Sequence, residues 1–531
     1  MLELLHDLIP PQAERRPDAI AVRHVKKHLS YAGLAEQVQK VACGLLQAGL
    51  TRSERVAVYL PKRLETVSAL FGISLAGGVF VPINPLLKAK QVAYILRDCN
   101  VRILFTSANR AMLLESVLAK CHDLHSLVIV DEGECSLPRL PHLDYITWTA
   151  LTNSSVYQAR RRGIDKDMAA ILYTSGSTGK PKGVVLSHRN LLSGAHSVVQ
   201  YLGNHADDRL LAVLPLSFDA GFSQLTTAFA AGGCAVLMDY LMARDVINAV
   251  ARDAITGLTA VPTLWTQLAT LPWPEAAQNS LRYIANTGGA MPRATLAALR
   301  QTLPRTQVFL MYGLTEAFRS TYLPPTELDR RPDSIGKAIP NAEVLVVRDD
   351  GSLCAPGEPG ELVHRGATVG LGYWNDPART AQRFRPAPVQ AAGLPLAESA
   401  VWSGDTVRMD EQGFLYFIGR QDDMIKTSGY RVSPTEVEEI LYASCLVAEA
   451  AALGVPHPVL GQALIAVIKP LHPSEFNTSD LIAYCRLQLP SFMIPLHVIS
   501  RNELPRNPNG KIDRQQLASE FYQLCTEPLT S

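Results

Sequence analysis

Between Ile171 and Gly183 an apolar run passes into the loop Thr174-Ser-Gly-Ser-Thr-Gly-Lys-Pro-Lys-Gly183. Glycine at 176 and 179 lets backbone N–H groups converge without Cβ interference. The hydroxyls of Thr174, Ser175, Ser177 and Thr178 add donors, and Lys180 adds charge, so the loop suits a polyphosphate. A Ser/Gly-rich surface turn without function has the same composition. The loop is not of the Walker type, because only two residues separate Gly176 from Gly179 and Pro181 stands where Ser or Thr should follow the lysine. A further lysine, Lys511, follows the turn Asn507-Pro-Asn-Gly510, which can present its ammonium from a loop tip, although a lysine so placed is ordinarily just a surface charge. Two other groupings carry less. Cys121, His122 and His125 have no second ligand pair at finger spacing, and Arg160-Arg-Arg162 reads as a solvated loop.

The elements that must position these groups alternate over the first 420 or so residues. Tyr31–Leu46 has apolar residues at helical spacing, and Arg55–Leu60, Val101–Phe105, Ser126–Val130 and Ala169–Tyr173 read as buried strands. That alternation predicts a layered α/β fold with mainly parallel sheet. From Ile335 to Phe417 short alternating stretches broken by Asp-Gly and Pro-Gly turns predict a small antiparallel unit. A shorter α+β stretch follows Asp422, where a boundary divides residues 1–421 from 422–531.

A length of 531 residues is too long for one compact domain and suits a large domain plus a smaller one, or two to four ordinary ones. Fifty basic and 49 acidic side chains leave a formal charge of +1, without the basic surplus of a nucleic-acid binder. Nine dispersed cysteines with no CxxC fit reduced thiols in a cytoplasmic enzyme. The N-terminal sequence lacks a signal-peptide pattern, and no apolar run is long enough to insert in a membrane.

Tyr173–Gly183 resembles the phosphate-loop signature of the adenylate-forming superfamily, which comprises acyl-CoA synthetases, peptide-synthetase adenylation domains and luciferases. Further segments match in family order over nearly the whole chain. The resemblance implies a large N-terminal domain with a small β-barrel-like unit and a small mobile C-terminal domain. It implies ATP and Mg²⁺ as cofactors, and AMP and pyrophosphate as products. Asn286-Thr-Gly-Gly-Ala290 and Tyr312-Gly-Leu-Thr-Glu316 are similar to the adenine site. By that similarity Tyr312 stacks on the base, Gly288, Gly289, Ala290 and Gly313 allow close approach, Thr315 meets the α-phosphate and Glu316 holds the metal. A carboxylate near three phosphates needs such a cation between them. Trp402-Ser-Gly-Asp405 and Gly419–Lys426 resemble the ribose and hinge motifs: Asp405 accepts from the ribose hydroxyls, Arg420 supports it, and Asp422 is the hinge. Leu504–Arg514 resembles the C-terminal lysine motif, so Lys511 bridges carboxylate and α-phosphate. After adenylation the small domain turns about Asp422 and presents Ser428–Arg431 to the incoming thiol.

Phe218 and Asp219 resemble amino-acid-activating adenylation domains, in which the Asp binds the substrate ammonium. A buried carboxylate in an acyl pocket is costly unless a cation pairs with it. Leu314 and Asn84 stand where peptide-synthetase domains mostly have Pro and Asp, and lean toward stand-alone acyl ligases. Ser223, Met311 and Arg319 complete the expected substrate wall, with Arg319 left open between pairing Asp219, binding a second substrate carboxylate, and pointing outward. The implied function is a free-standing ligase that activates a small amino or imino acid, proline-like as the leading choice. It transfers the acyl group to the phosphopantetheine of a separate carrier protein. The alternatives are an acyl-CoA synthetase using coenzyme A, and a non-catalytic nucleotide-binding protein.

Overall fold

The computed structural model describes residues 3–131, 140–153, 163–174, 180–390, 393–420, 424–505 and 512–521. Its strands form three sheets. In the first, Val79–Pro82, Arg55–Tyr59, Val101–Thr106, Ser126–Ile129 and Asp144–Thr147 run parallel in that spatial order. The central strands are apolar and almost wholly buried, as expected for parallel strands with helices on both faces. Beside Val79–Pro82 lies Met168–Thr174, which turns back antiparallel into Lys182–Ser187 with Thr174 opposite Lys182. Met168–Thr174 and Lys182–Ser187 thus pair as the two arms of a hairpin, with Thr174 and Lys182 at the end that the glycine-rich sequence joins.

The second sheet has a parallel heart of Cys234–Leu237, Arg209–Ala212, Gly257–Ala260, Tyr283–Asn286 and Gln307–Tyr312. Through Thr321–Leu323 and Ser334–Ala338 it continues into the antiparallel strands Leu415–Arg420, Ser399–Met409, Pro359–Gly366 and Ala342–Val347. The expected antiparallel unit thus shares one ribbon of hydrogen bonds with the parallel strands.

Between the first two sheets lies the main core. The helices Tyr31–Gln47, Leu64–Leu75, His188–Leu202 and Asp219–Ala231 fill it, with Phe71, Phe80, Phe222 and Phe229 in mutual ring contact at its centre. Helices Ala89–Asp98 and Ala108–Leu118 cover the outer face of the first sheet, and Ala243–Arg252, Pro262–Ala269 and Arg293–Thr302 cover that of the second. The third sheet consists of Tyr430–Val432, Ile425–Thr427, Gly461–Pro470, Val447–His457 and His497–Ser500, and carries a separate apolar cluster on each face. Among the described residues no helix is long and apolar enough to cross a membrane.

One packing contact sets the turn that follows Gln307–Tyr312. Phe318 adopts φ +53°, a left-handed conformation uncommon outside glycine. Its fully buried ring lies on helix His188–Leu202 at Gly194, where an added Cβ would stand 2.3 Å from Phe318 Cδ1. Gly194 is the hole into which this ring fits, and the ring pins the backbone of residues 315–320. Gly194→Ala should therefore cost about 1–3 kcal/mol by overpacking, despite alanine's better helix propensity. A denaturation midpoint equal to or above that of the parent protein would show that the ring is not the constraint.

Candidate active site

Parallel strands end their chains on one edge of a sheet, and the loops beyond that edge form a crevice where ligands bind. Here Ala260, Asn286 and Tyr312 end three neighbouring parallel strands, with Asn286 in register with Ala260 on one side and Leu310 on the other. Their following loops supply Val261, Thr287–Gly288 and Gly313–Thr315 to a single cleft, shared with Thr174 and Pro181 of the hairpin. Gly288 needs its glycine because φ is +78° there, and the Asn286 amide donates to the Gly289 carbonyl at 2.8 Å to close the turn.

Glu316 lies in the 3₁₀ turn Thr315–Ala317 and is 0% exposed. Lys182 Nζ donates to its Oε1 at 2.9 Å and the Tyr373 hydroxyl to the same oxygen at 2.6 Å. Burial alone would raise its pKa. The charges of Lys182, Arg383 and Arg431, with the Tyr373 hydroxyl, instead hold it well below the ordinary carboxylate range. Burial in turn pulls the Lys182 ammonium below its usual value, with Glu316 pulling the other way. Oε2 of Glu316 and Oγ1 of Thr174 are buried without hydrogen-bond partners among the described residues. A buried carboxylate oxygen with open acceptor capacity fits Mg²⁺, which takes one or two carboxylates and completes its shell with phosphates and water. Among the described residues no group of three or more His, Cys, Asp or Glu could hold a metal by itself.

Asp405, 1% exposed, lies on Ser399–Met409 opposite Arg420 on the neighbouring strand. The Tyr312 hydroxyl donates to Asp405 Oδ2, and the Tyr312 ring lies 6.2 Å from the ring of His364, nearly parallel to it. The expected adenine and ribose residues are therefore adjacent. Burial pushes the His364 imidazole down to about 4, so this ring is neutral there, and neither of its nitrogens has a hydrogen-bond partner among the described residues.

Phe218, Asp219 and Arg319 line the same cleft. Ser223 and Met311 lie deeper, around a small inner cavity that Arg319 and Ala220 share with the cleft. Phe218 is the extended residue before helix Asp219–Ala231, and Asp219 opens that helix. The cleft is closed from the other side by the third sheet. Gly429 takes φ +81° and packs on Val261, where a Cβ would come within 2.7 Å of Cγ1. Tyr430 sits edge-on to Phe218 at 5.0 Å and stacks on Phe492 at 3.7 Å. Gln91 donates to Glu436 Oε1 at 3.2 Å across the same junction.

The structure thus brings together Thr174, Phe218, Asp219, Gly288, Gly313, Thr315 and Arg319 around one cleft, with Glu316 and the Tyr312–Asp405 pair beside them. Ala290 and Lys180 are exposed. Ser175, Gly176, Ser177, Thr178, Gly179, Asp422 and Lys511 lie outside the described residues, as does the side chain of Arg420. Sequence reasoning weighted Lys180 and overlooked Lys182; a hairpin register through Lys182–Ser187 was the available signal. Tyr373, Arg383, His364 and Glu436 had no local signal, since each reaches Glu316, Tyr312 or the cleft only through tertiary packing.

Residues 9–374 match the family model for AMP-binding enzymes, and residues 436–511 match that for the AMP-binding enzyme C-terminal domain. Gramicidin S synthase 2 of Brevibacillus brevis is 30% identical over 97% of this chain, which spans only 11% of that protein's length. Feruloyl-CoA synthase of an Amycolatopsis species is 31% identical over 96% of this chain and 97% of its own length. Among solved structures, o-succinylbenzoate CoA synthetase from Bacillus subtilis bound with its product analogue aligns at 26% identity. Its TM-score is 0.81, covering 96% of this chain and 97% of that one. The same synthetase with its acyl-adenylate intermediate gives 0.68 at 26% identity, over 97% and 98%. With a family match extending over well more than half its length, the chain belongs to the AMP-binding enzymes.

Proposed function

We propose that this chain is an ATP-dependent, AMP-forming acid–thiol ligase with two half-reactions run in one cleft. The observation that carries the reading is the fully buried Glu316 carboxylate. It keeps one oxygen open and lies beside Thr315, with Tyr312–Asp405 nearby and the Gly429–Arg431 loop of the third sheet above. In the first step the substrate carboxylate attacks the α-phosphorus of ATP and pyrophosphate leaves. Asp405 accepts from the ribose hydroxyls, Tyr312 orients Asp405 and flanks the base, and Thr315 donates to the α-phosphate. Lys182 and the glycine-rich sequence 174–180 bind the β- and γ-phosphates. Bound Mg²⁺, held through Glu316, neutralises charge on the triphosphate. Lys511 offsets repulsion between the two anions that must meet.

In the second step a thiol gives up its proton and attacks the acyl carbon of the mixed anhydride, and AMP leaves. The described arrangement suits this step, because Tyr430, Gly429 and Arg431 occupy the cleft from the C-terminal side. The higher TM-score against the product-analogue complex than against the adenylate complex of one and the same synthetase supports that assignment. Asp219 favours a small acid that carries an ammonium, as does the likeness to a gramicidin synthase. The acceptor is then the phosphopantetheine of a carrier protein, with proline-like amino acids a natural first test. Coenzyme A is the second reading, favoured by the full-length likeness to feruloyl-CoA synthase.

Two experiments test the cycle. Lys511→Ala should slow adenylation roughly 10²–10³-fold, as loss of one transition-state charge donor does, while thioester formation from supplied acyl-adenylate stays near that of the parent. Asp422→Pro should do the reverse, since proline fixes φ and restricts its neighbour. Equal losses in both steps for both variants would leave a single static site.

Glu436 supplies the pH test. Burial in the junction pushes its carboxyl up to about 7, with Gln91 pulling it down. Separation of the two units would return it to the ordinary carboxylate range. The docked state therefore binds the proton more tightly, and docking weakens as pH rises between that range and about 7, by at most about tenfold per pH unit. Interdomain fluorescence transfer should fall over this window in the parent and stay flat in Glu436→Gln. Parallel profiles for the two proteins would remove Glu436 from the junction's pH response.

A further inference from the structure

Arg319 is a buried charge in the cleft that the protein itself leaves poorly satisfied. It is 4% exposed, yet the only hydrogen bond of its side chain among the described residues runs from Nη1 to Thr287 Oγ1 at 3.4 Å, and its Nε has no partner there. Asp219, which lines the same cleft, is near enough for the Arg319 charge to act on its carboxyl but forms no ion pair with Arg319 among the described residues. A buried guanidinium without a counter-anion costs several kcal/mol, and removing one partner of a buried pair is strongly destabilising for the same reason. Asp219 is met by backbone N–H groups at the start of its helix, so it is the Arg319 guanidinium that is left to be matched by something that enters the cleft.

The surroundings are polar in the same sense. Ser217 Oγ, Thr227 Oγ1 and Ser320 Oγ are all buried without hydrogen-bond partners among the described residues. They lie along the cleft, the inner cavity and the chain next to Arg319 respectively. The inner cavity beyond Arg319 has a volume of only about 20 Å³, enough for a single water. Arg319 therefore cannot stand at the mouth of a long acyl tunnel in this arrangement. The occupant that satisfies it is short, anionic and polar.

We propose that Asp219 and Arg319 together select a short amino acid with a second carboxylate, Asp219 binding its ammonium and Arg319 binding the carboxylate that does not react. This specificity rests on the ligase reading above, in which the other carboxylate attacks ATP. A guanidinium binds a carboxylate through two parallel N–H donors, which gives direction as well as charge. A proline-like substrate would satisfy Asp219 and leave Arg319 alone.

Four small acids separate the two charges: butyrate, 2-aminobutyrate, succinate and aspartate, each tested in ATP–pyrophosphate exchange with the full-length protein. Aspartate should exceed 2-aminobutyrate by roughly 10²-fold or more in kcat/KM, because a site built for a polar group rejects the analogue lacking it. Succinate should exceed butyrate, and aspartate should exceed succinate. In Arg319→Leu the preference between aspartate and 2-aminobutyrate should reverse, and Arg319→Lys should restore part of it, keeping charge without the planar fork. The parent protein alone is decisive if Arg319→Leu fails to fold. Equal rates for aspartate and 2-aminobutyrate in the parent would mean that water satisfies Arg319, and overturns the proposal. A parent that prefers succinate to aspartate overturns the Asp219 half while sparing the ligase reading. Exchange with none of the four also overturns the proposal, and exchange with proline or a medium-chain fatty acid would then keep the ligase reading.

Discussion

A full negative charge on Glu316, with no surface exposed to water, organises the cleft. Taking such a group out of water costs several kcal/mol unless it is paired and hydrogen-bonded. The groups that compensate come from four distant segments: Lys182 from the hairpin, Tyr373 from the strand that joins it, Arg383 from helix Pro377–Arg383, and Arg431 from the third sheet. Lys182 also lies 4.3 Å from the centroid of the Tyr373 ring, which attracts the ammonium through its π face. Four parts of the chain are thereby fixed around one carboxylate. Its own backbone is fixed in turn by Phe318 seated over Gly194.

That charge balance links the two units. In the described arrangement the Arg431 charge acts on Glu316 from the C-terminal side. A divalent cation on the same carboxylate would repel Arg431, as like charges do in a poorly hydrated space. On the proposed two-step reading, Mg²⁺ held by Glu316 would therefore weigh against the docked position of Arg431. The aromatic contacts of Tyr430 with Phe218 and Phe492 supply apolar attraction that does not depend on charge.

Much of this was legible in the sequence, for definite reasons. Strands such as Val101–Thr106 and Ser126–Ile129 are buried on both faces, so they read as nearly unbroken apolar runs. Tyr31–Gln47 buries one stripe, so its spacing shows a helix. Asp405 and Tyr312 were found through motifs, and they meet although 93 residues apart. Lys182 was not singled out, because composition cannot say which of two lysines in a glycine-rich loop turns inward. That choice is made by the register that sets Thr174 against Lys182. Tyr373 and Arg383 lack any local pattern, since their function exists only once the hairpin and the 315–320 turn pack against them.

The dipeptide Phe218–Asp219 shows how one turn can serve two unlike neighbours. Phe218 holds an extended conformation just before the helix and lies against Tyr430, while Asp219 begins the helix and feels Arg319. The cleft is divided by this step into an aromatic side, with Tyr430, Phe492 and Met493, and a charged side, with Asp219, Arg319 and Thr287. An acyl chain would be held well by the first and poorly by the second, where burial already raises the Asp219 carboxyl and Arg319's charge is the main opposition to it. A slender, mostly apolar thiol arm suits the aromatic side. On the proposed reading the acid lies on the charged side, where its second carboxylate would meet Arg319.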